Sequence, residues 1–246
     1  MLLFTTNLAQ QDGESMSFLK KHLGPQKKLA RILLQKGLLL FIFIPTALVA
    51  QSVFDHPVSA GAFPPALKEL SANLQGHNTL RAQFIQTRKI SILQHPLVTK
   101  GDLLFSAKNG VHLQTNSPLV AEVLISPEGY FERKNGQLIL QSPASAGAGL
   151  QGYLKAFILI FSGNFQKLNH LFEFSFLETP PSWTVGLTPK DLLAKVLKNI
   201  EISGDIPADL KRIVIRETNG DLTQIELYGT ESSTSRLSSA ELRLFE

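Results

Sequence analysis

The stretch GDLLFSAKNGVHLQTNSPLVAEVLISPEGYFERKNGQLILQ, residues Gly101 to Gln141, decides the fold. It reads as four or five short strands in succession, each ended by a turn-forming cluster. Ser106-Ala107-Lys108-Asn109-Gly110 closes the first and Asn116-Ser117-Pro118 the second. Ser126-Pro127-Glu128-Gly129 and Lys134-Asn135-Gly136 close the next two. Turn signals about 8–12 residues apart are what an antiparallel meander requires, because each strand returns beside its predecessor. In the third strand Ala121, Val123 and Ile125 share one face while Glu122 lies on the other. Such a sheet must curl or be covered to hide its apolar side, so the rest of the chain has to supply a cover.

Upstream, Gly37 to Ala50 is uncharged and apolar, preceded by Lys27, Lys28, Arg31 and Lys36 and followed by the small residues Ala50-Gln51-Ser52. This is the layout of a secretory signal peptide, with an uncleaved membrane anchor as the alternative. The long lead-in leaves Met16 as a second possible start. We therefore expect residues 1–52 to be an N-terminal extension and signal peptide, and 53–246 to be one exported domain. Six of the 24 basic and two of the 20 acidic residues fall in the leader, so the remainder is balanced at 18 of each. The net charge of +4 thus belongs to the leader. No basic stripe with interleaved aromatics follows, which argues against a nucleic-acid partner. The chain has no cysteine, which removes zinc-thiolate sites, lipobox acylation and a cysteine nucleophile, and leaves stability to the core.

Along the domain, Leu67, Leu70 and Leu74 fall at helical spacing over Ala66–Gln75, with Pro65 at the start and Gly76 past the end. Leu80, Ala82 and Phe84 then alternate as a strand. Between Gly147 and Phe161, Leu150, Tyr153, Leu154, Phe157, Ile158 and Phe161 form one helical stripe, which Leu159 and Ile160 widen. Phe172, Phe174 and Phe176, then Trp183, Val185 and Leu187, give a hairpin with an aromatic inner face. Thr188-Pro189-Lys190-Asp191 has the form of a helix start, predicting a third helix to Lys198. Strands follow at Asn199–Ser203, Arg212–Glu217 and Leu222–Tyr228, the last two joined through Asn219-Gly220, with a final strand at Glu241–Phe245. About ten strands and three helices make an α+β domain with an antiparallel sheet.

Catalytic patterns are absent from the sequence. Gly147 to Gly152 matches GxGxxG formally, but no strand runs directly into it and it reads as the lead-in to a helix; no cofactor is expected. His56, His77, His95, His112 and His170 lie far apart without ligand spacing, each reading as a surface or turn residue, and no metal is expected. Asp102, Glu122, Glu128 and Glu132 are available as a carboxylate pair for an exported hydrolase, against the reading of solvated strand faces. The phenylalanines on alternating strand positions are either plain core or the lining of a cavity.

The order of elements from Ala66 to Phe245 resembles the periplasmic outer-membrane lipoprotein carrier family (LolA-like). The resemblance rests on Ala82-Gln83-Phe84-Ile85-Gln86, Gly101-Asp102-Leu103-Leu104-Phe105, Ser117-Pro118 with Leu124 to Gly129, Leu187 to Lys190, and Asn219 to Leu222. It implies an unclosed antiparallel β-barrel, a curved sheet covered by helices and enclosing a hydrophobic cavity for acyl chains. The implied function is non-enzymatic transport of an acylated lipoprotein or lipid through the periplasm. A monomer would take cargo from an inner-membrane donor complex to an outer-membrane acceptor. On that reading Phe84, Phe105, Leu113, Val123, Ile125, Phe172, Phe174, Phe176 and Trp183 line the cavity, faced by Tyr153, Phe157 and Phe161 from the helix. The family has an Arg-Pro pair where this chain has Lys108-Asn109, which makes Lys108 the candidate for a lid latch. The extra helix at Thr188–Lys198 would mark a divergent member. A module that senses envelope lipids and regulates a membrane partner is the alternative.

Overall fold

The structure is a computed structural model that describes residues 51–59, 62–143, 145 and 148–245. The expected N-terminal extension and signal peptide therefore lies outside the described residues as far as residue 50, and only its last two residues, Gln51 and Ser52, are described. Residues 50–246 form a compact unit by themselves, and every strand, helix and core residue named below belongs to it. Among the described residues no helix is long and apolar enough to cross a membrane.

The meander is present as β3 (Leu97–Ser106), β4 (Gly110–Ser117), β5 (Ala121–Ser126), β6 (Gly129–Lys134) and β7 (Gln137–Pro143), each antiparallel to the one before. The turns fall at the clusters expected of them. Before the meander come β1 (Pro57–Val58), helix α1 (Pro65–Gln75) and β2 (Thr79–Lys89). After it come α2 (Ala148–Phe161), the single turn α3 (Phe165–Leu168), β8 (Phe172–Thr179), β9 (Ser182–Pro189), β10 (Leu197–Asp205), β11 (Asp209–Glu217), β12 (Leu222–Ser233) and the turn α4 (Ser239–Leu242). All twelve strands join one antiparallel sheet in the order β1-β8-β9-β10-β11-β12-β2-β3-β4-β5-β6-β7. The sheet is not closed, since β1 and β7 are its two edges. Phe172, Phe174 and Phe176 on β8, and Trp183, Val185 and Leu187 on β9, turn to the inner face, where α1 and α2 cover them.

Two expectations fail. Residues 188–198 do not form a helix. Pro189 ends β9 opposite Phe172, and the Lys190 amide continues that pairing by donating to the Leu171 carbonyl at 2.9 Å. Asp191 then takes a left-handed conformation (φ 48°), and only a short turn, Leu193–Lys195, precedes β10. The local helix-start signal loses to pairing along a whole strand, and with it goes the extra helix that marked a divergent member. Nor is Glu241–Phe245 a strand. Ser238 caps α4 reciprocally: the Glu241 amide donates to Ser238 Oγ at 3.3 Å and the Ser238 amide to Glu241 Oε2 at 2.8 Å. A tight turn, Arg243–Phe245, follows.

That C-terminal segment covers part of the outer face. Arg81, Leu104, His112, Leu124 and Phe131 are consecutive cross-strand partners on β2 to β6, all pointing away from the helices. Their apolar members need cover, and Phe245 supplies some, its ring 6.2 Å from the His112 imidazole. At the far end of the outer face Val53 and Phe54 pack over Gly186, and Ser52 caps their turn.

Candidate functional site

The candidate site is the interior between the inner face of the sheet and helices α1 and α2. Strand alternation directs Leu103 and Phe105 of β3, Val111 and Leu113 of β4, and Val123 and Ile125 of β5 to this side. Opposite them α2 buries Leu154, Ala156, Phe157, Leu159, Ile160 and Phe161, while Lys155 is exposed. A helix buried over so much of its circumference has no solvated face of ordinary width.

The residues expected to line a cavity are brought together here. Phe84, Phe105, Leu113, Ile125, Phe157, Phe161, Phe172, Phe174 and Trp183 are buried in one continuous cluster, and Val123, Tyr153 and Phe176 pack against it half-buried. Phe161 stacks on Phe105 at 5.9 Å and meets Phe157 at 5.4 Å; Tyr153 stacks on Phe157 at 6.3 Å. A pocket of about 290 Å³ opens between α2 and the β5–β6 turn, lined by Ser126, Pro127, Gln151, Leu154, Lys155, Ile158 and Leu159. A second, of about 80 Å³, reaches Phe176 and Trp183 beside α1.

Of the polar groups at the edge of this interior, Tyr153 was expected from the sequence and Tyr130 was missed. The Tyr130 hydroxyl donates to Glu132 Oε2 at 3.2 Å. Burial raises the Tyr130 hydroxyl above its ordinary range, with Glu132 adding to the effect and Arg88 opposing it. Tyr153 is raised for the same first reason, then by Glu217, again against Arg88. Both tyrosines are therefore neutral hydroxyls on apolar bodies, and Tyr130 uses its own as a donor. Helix α2 is fixed at its far end by Gly163, whose φ of +64° and contact with Leu74 leave no room for a Cβ. There the Ser71 hydroxyl of α1 donates to the Gly163 carbonyl at 2.7 Å.

Lys108 lies apart from α2. It is exposed at the β3–β4 turn, beside a cavity of about 750 Å³ shared with Asn78, Arg236, Leu237 and Leu242. His112 departs from the expectation of a surface histidine. It is buried on the outer face, its Nε2 has no partner, and burial lowers its pKa. The signal was available in Leu104, Leu124 and Phe131, apolar residues on the face that should have been solvated. Between that face and the C-terminal turn lies a cleft of about 580 Å³ bordered by Arg81, Asp102, Leu104, Gln114, Glu231 and Leu244.

The acidic residues do not converge. Glu122 lies on the outer face with Arg133 at 3.9 Å, Glu132 on the inner face, and Asp102 accepts from Asn116 at 2.7 Å. Among the described residues no group of three or more His, Cys, Asp or Glu could hold a metal ion.

The family model described as outer membrane lipoprotein carrier protein LolA-like matches residues 68–244. No curated protein matches the chain. Among solved structures, the LolA superfamily protein NE2245 from Nitrosomonas europaea is 7% identical and has a TM-score of 0.38, over 71% of this chain and 94% of that one. MucB in the Pseudomonas aeruginosa MucA/MucB complex is 12% identical with a TM-score of 0.38, over 72% and 59%. LprF from Mycobacterium bovis is 12% identical with a TM-score of 0.30, over 70% and 93%. These likenesses are low, and the assignment stands on the family match, which spans the domain from α1 to the C-terminal turn. The chain belongs to the outer membrane lipoprotein carrier protein LolA-like family.

Proposed function

We propose that the domain is a non-catalytic periplasmic carrier that holds the acyl chains of a lipoprotein or lipid between its sheet and α2, and ferries them toward the outer membrane. An inner-membrane donor complex would load it and an outer-membrane acceptor unload it. The observation that carries this reading is the aromatic interior under a helix apolar on most sides, beneath a sheet that does not close. A sixteen-carbon chain loses on the order of 12 kcal/mol in water, at about 0.8 kcal/mol per CH₂, so a carrier must cover nearly all of it. The 290 Å³ pocket beside α2 is at the small end of ligand sites. Cargo would thus lift α2 from β3–β5 and exchange its contacts with Phe105 and Ile125 for contacts with the chain. Tyr130 and Tyr153 stand where a polar head would emerge, and the latch role of Lys108 would require the β3–β4 turn to act on α2 from a distance.

The test is to purify residues 51–246 without detergent, extract them and identify bound lipid by mass spectrometry, then to measure uptake of a fluorescent fatty acid. Bound acyl lipid and saturable uptake are expected. A lipid-free protein that takes up no probe would overturn the proposal. Delivery of the cargo to acceptor vesicles would favour a carrier over a lipid-sensing module, and turnover of a model ester or glycoside would revive the hydrolase.

A further inference from the structure

Antiparallel pairing sorts the connections of the sheet into two rims. One rim gathers the β2–β3, β4–β5, β6–β7, β9–β10 and β11–β12 connections. The Ser91 amide donates to Asp221 at 2.8 Å, and Thr218 donates from its amide to the Val196 carbonyl at 3.0 Å, so three of these connections are fastened together. Lys100 pairs with Ser117, and Ala121 with Lys134, which brings in the other two. Neighbouring strands are about 4.8 Å apart, so the rim follows an arc of roughly 40 Å from β9 to β7.

Its tips are apolar where turns are ordinarily polar. Ile92 is 88% exposed and Leu119 61%, and Leu93, Val120, Leu192 and Val196 are exposed around them. Large apolar residues gathered at one end of a molecule mark a binding surface, whereas scattered ones do not. The charge is gathered as well. Residues 88–100, 116–122, 133–138, 189–199 and 217–222 hold eight Lys/Arg against four Asp/Glu, an excess of four in a domain that is balanced as a whole. Of those charges, Asp221 is engaged within the protein by accepting from Ser91, and Glu122 and Arg133 lie by one another and offset. Exposed aliphatic tips set among lysines complement a surface that is anionic outside and apolar beneath.

We propose that this rim docks the domain on an anionic lipid bilayer, with Ile92 and Leu119 entering the headgroup layer and Lys195 and Lys198 facing acidic lipids. The inference goes beyond acyl-chain carriage, since the rim would bind a membrane whether or not the interior accepts a chain.

Flotation of residues 51–246 with vesicles tests it, because that fragment contains the whole sheet and core. Binding to phosphatidylethanolamine–phosphatidylglycerol vesicles is expected, with weak binding to phosphatidylcholine alone and release as salt screens the lysines. The double substitution I92D/L119D should lower binding at least tenfold on the cost of charging two inserted tips. K195E/K198E should lower it by about fivefold or more per lysine at low salt. Lys211→Glu, at the opposite rim, should leave it unchanged. Far-ultraviolet circular dichroism and the melting transition report that each variant is folded. Absence of binding to anionic vesicles, equal binding to phosphatidylcholine, or full binding by folded I92D/L119D would overturn the proposal. So would self-association of the fragment that the same substitutions abolish, since the rim would then face a second copy. I92D/L119D should still take up the fluorescent fatty acid; an unsubstituted fragment that docks but takes up no fatty acid would count against the carrier reading alone.

Discussion

Arg81 Nε donates to Glu241 Oε1 at 2.7 Å, and this pair holds the last turn of the chain against the outer face of the sheet. The guanidinium, joined by the Ser238 amide, holds the Glu241 carboxyl down to about 2. An unfolded glutamate titrates near 4.3, so the contribution to stability is complete above that value and disappears as the pH falls toward 2. Both side chains are partly exposed, which limits the pair to about 1 kcal/mol or less. Glu241→Gln should lower the denaturation midpoint slightly at pH 7, and the difference from the parent should vanish near the folded value, as urea titrations at several pH values would show.

Removing residues 239–246 should do more than break that pair. Leu104, His112 and Leu124 would lose the cover of Leu244 and Phe245 on the outer face, away from α1 and α2. The truncated domain is expected to bind a hydrophobic dye that the parent ignores, while keeping its strand signal in circular dichroism. An unchanged dye response would show that the outer band is adequately solvated without its cover.

His112 supplies a pH dependence of the opposite origin. Burial lowers its pKa below the ordinary value near 6.5; Glu122 raises it somewhat, and Arg133 lowers it further. The unfolded chain then binds a proton that the folded one refuses, so stability falls as the pH drops below about 6.5. His112→Leu keeps the site apolar and removes the proton. The variant should lose less stability than the parent between pH 7 and pH 5, measured by thermal melts across that interval.

At the far end of α2, Gly163→Ala would place a methyl group 2.2 Å from Leu74 Cβ in a left-handed conformation. The substitution should cost about 2–4 kcal/mol, combining overpacking with backbone strain. Ser71→Ala, which leaves the Gly163 carbonyl only the longer bond from Gln75 Nε2 at 3.4 Å, should cost about 1 kcal/mol, and the pair less than the sum because both act on one contact. A denaturant series on the two single variants and the double one would measure the coupling.

Phe157 distinguishes a packed core from one that yields to a ligand. Phe157→Ala should lower stability by about 3–5 kcal/mol. If α2 gives way to acyl chains, added fatty acid should restore more stability to the variant than to the parent, because ligand occupies the space the ring left. Equal shifts of the two melting temperatures would remove the interior as the binding site.

The sequence was most legible where the order of a structure repeats. Turn clusters at regular spacing located all five meander strands, and alternation located the aromatic inner face of β8 and β9. It was misleading where a local signal competes with a distant partner. Thr188-Pro189 has the form of a helix start, but Pro189 lies opposite Phe172 on β8, and that pairing is invisible from the four residues alone. Ser238 and Glu241 stand in capping-box spacing, a cue outweighed by an apparent alternation in the residues that follow. The residues expected to line a cavity fall in or against one buried cluster because hydrophobicity and period suffice to put them inside. His112, Tyr130 and Arg88 were not legible in that way, since their importance arises only from strand register. The rim was illegible for the same reason: Ile92, Leu119 and Val196 are far apart in the chain, and antiparallel pairing alone brings them to one end.

An open sheet edge changes what kind of container this domain would be as a carrier. In a closed barrel the strand number and stagger fix the radius, and the lumen has one size. Here β1 and β7 are edges with no ladder between them, so the sheet can coil or uncoil like a scroll without giving up a backbone hydrogen bond. The capacity of such a carrier would be an elastic property set by how firmly α2 grips the sheet. One scaffold could serve chains of different length by altering curvature, with no residue replaced.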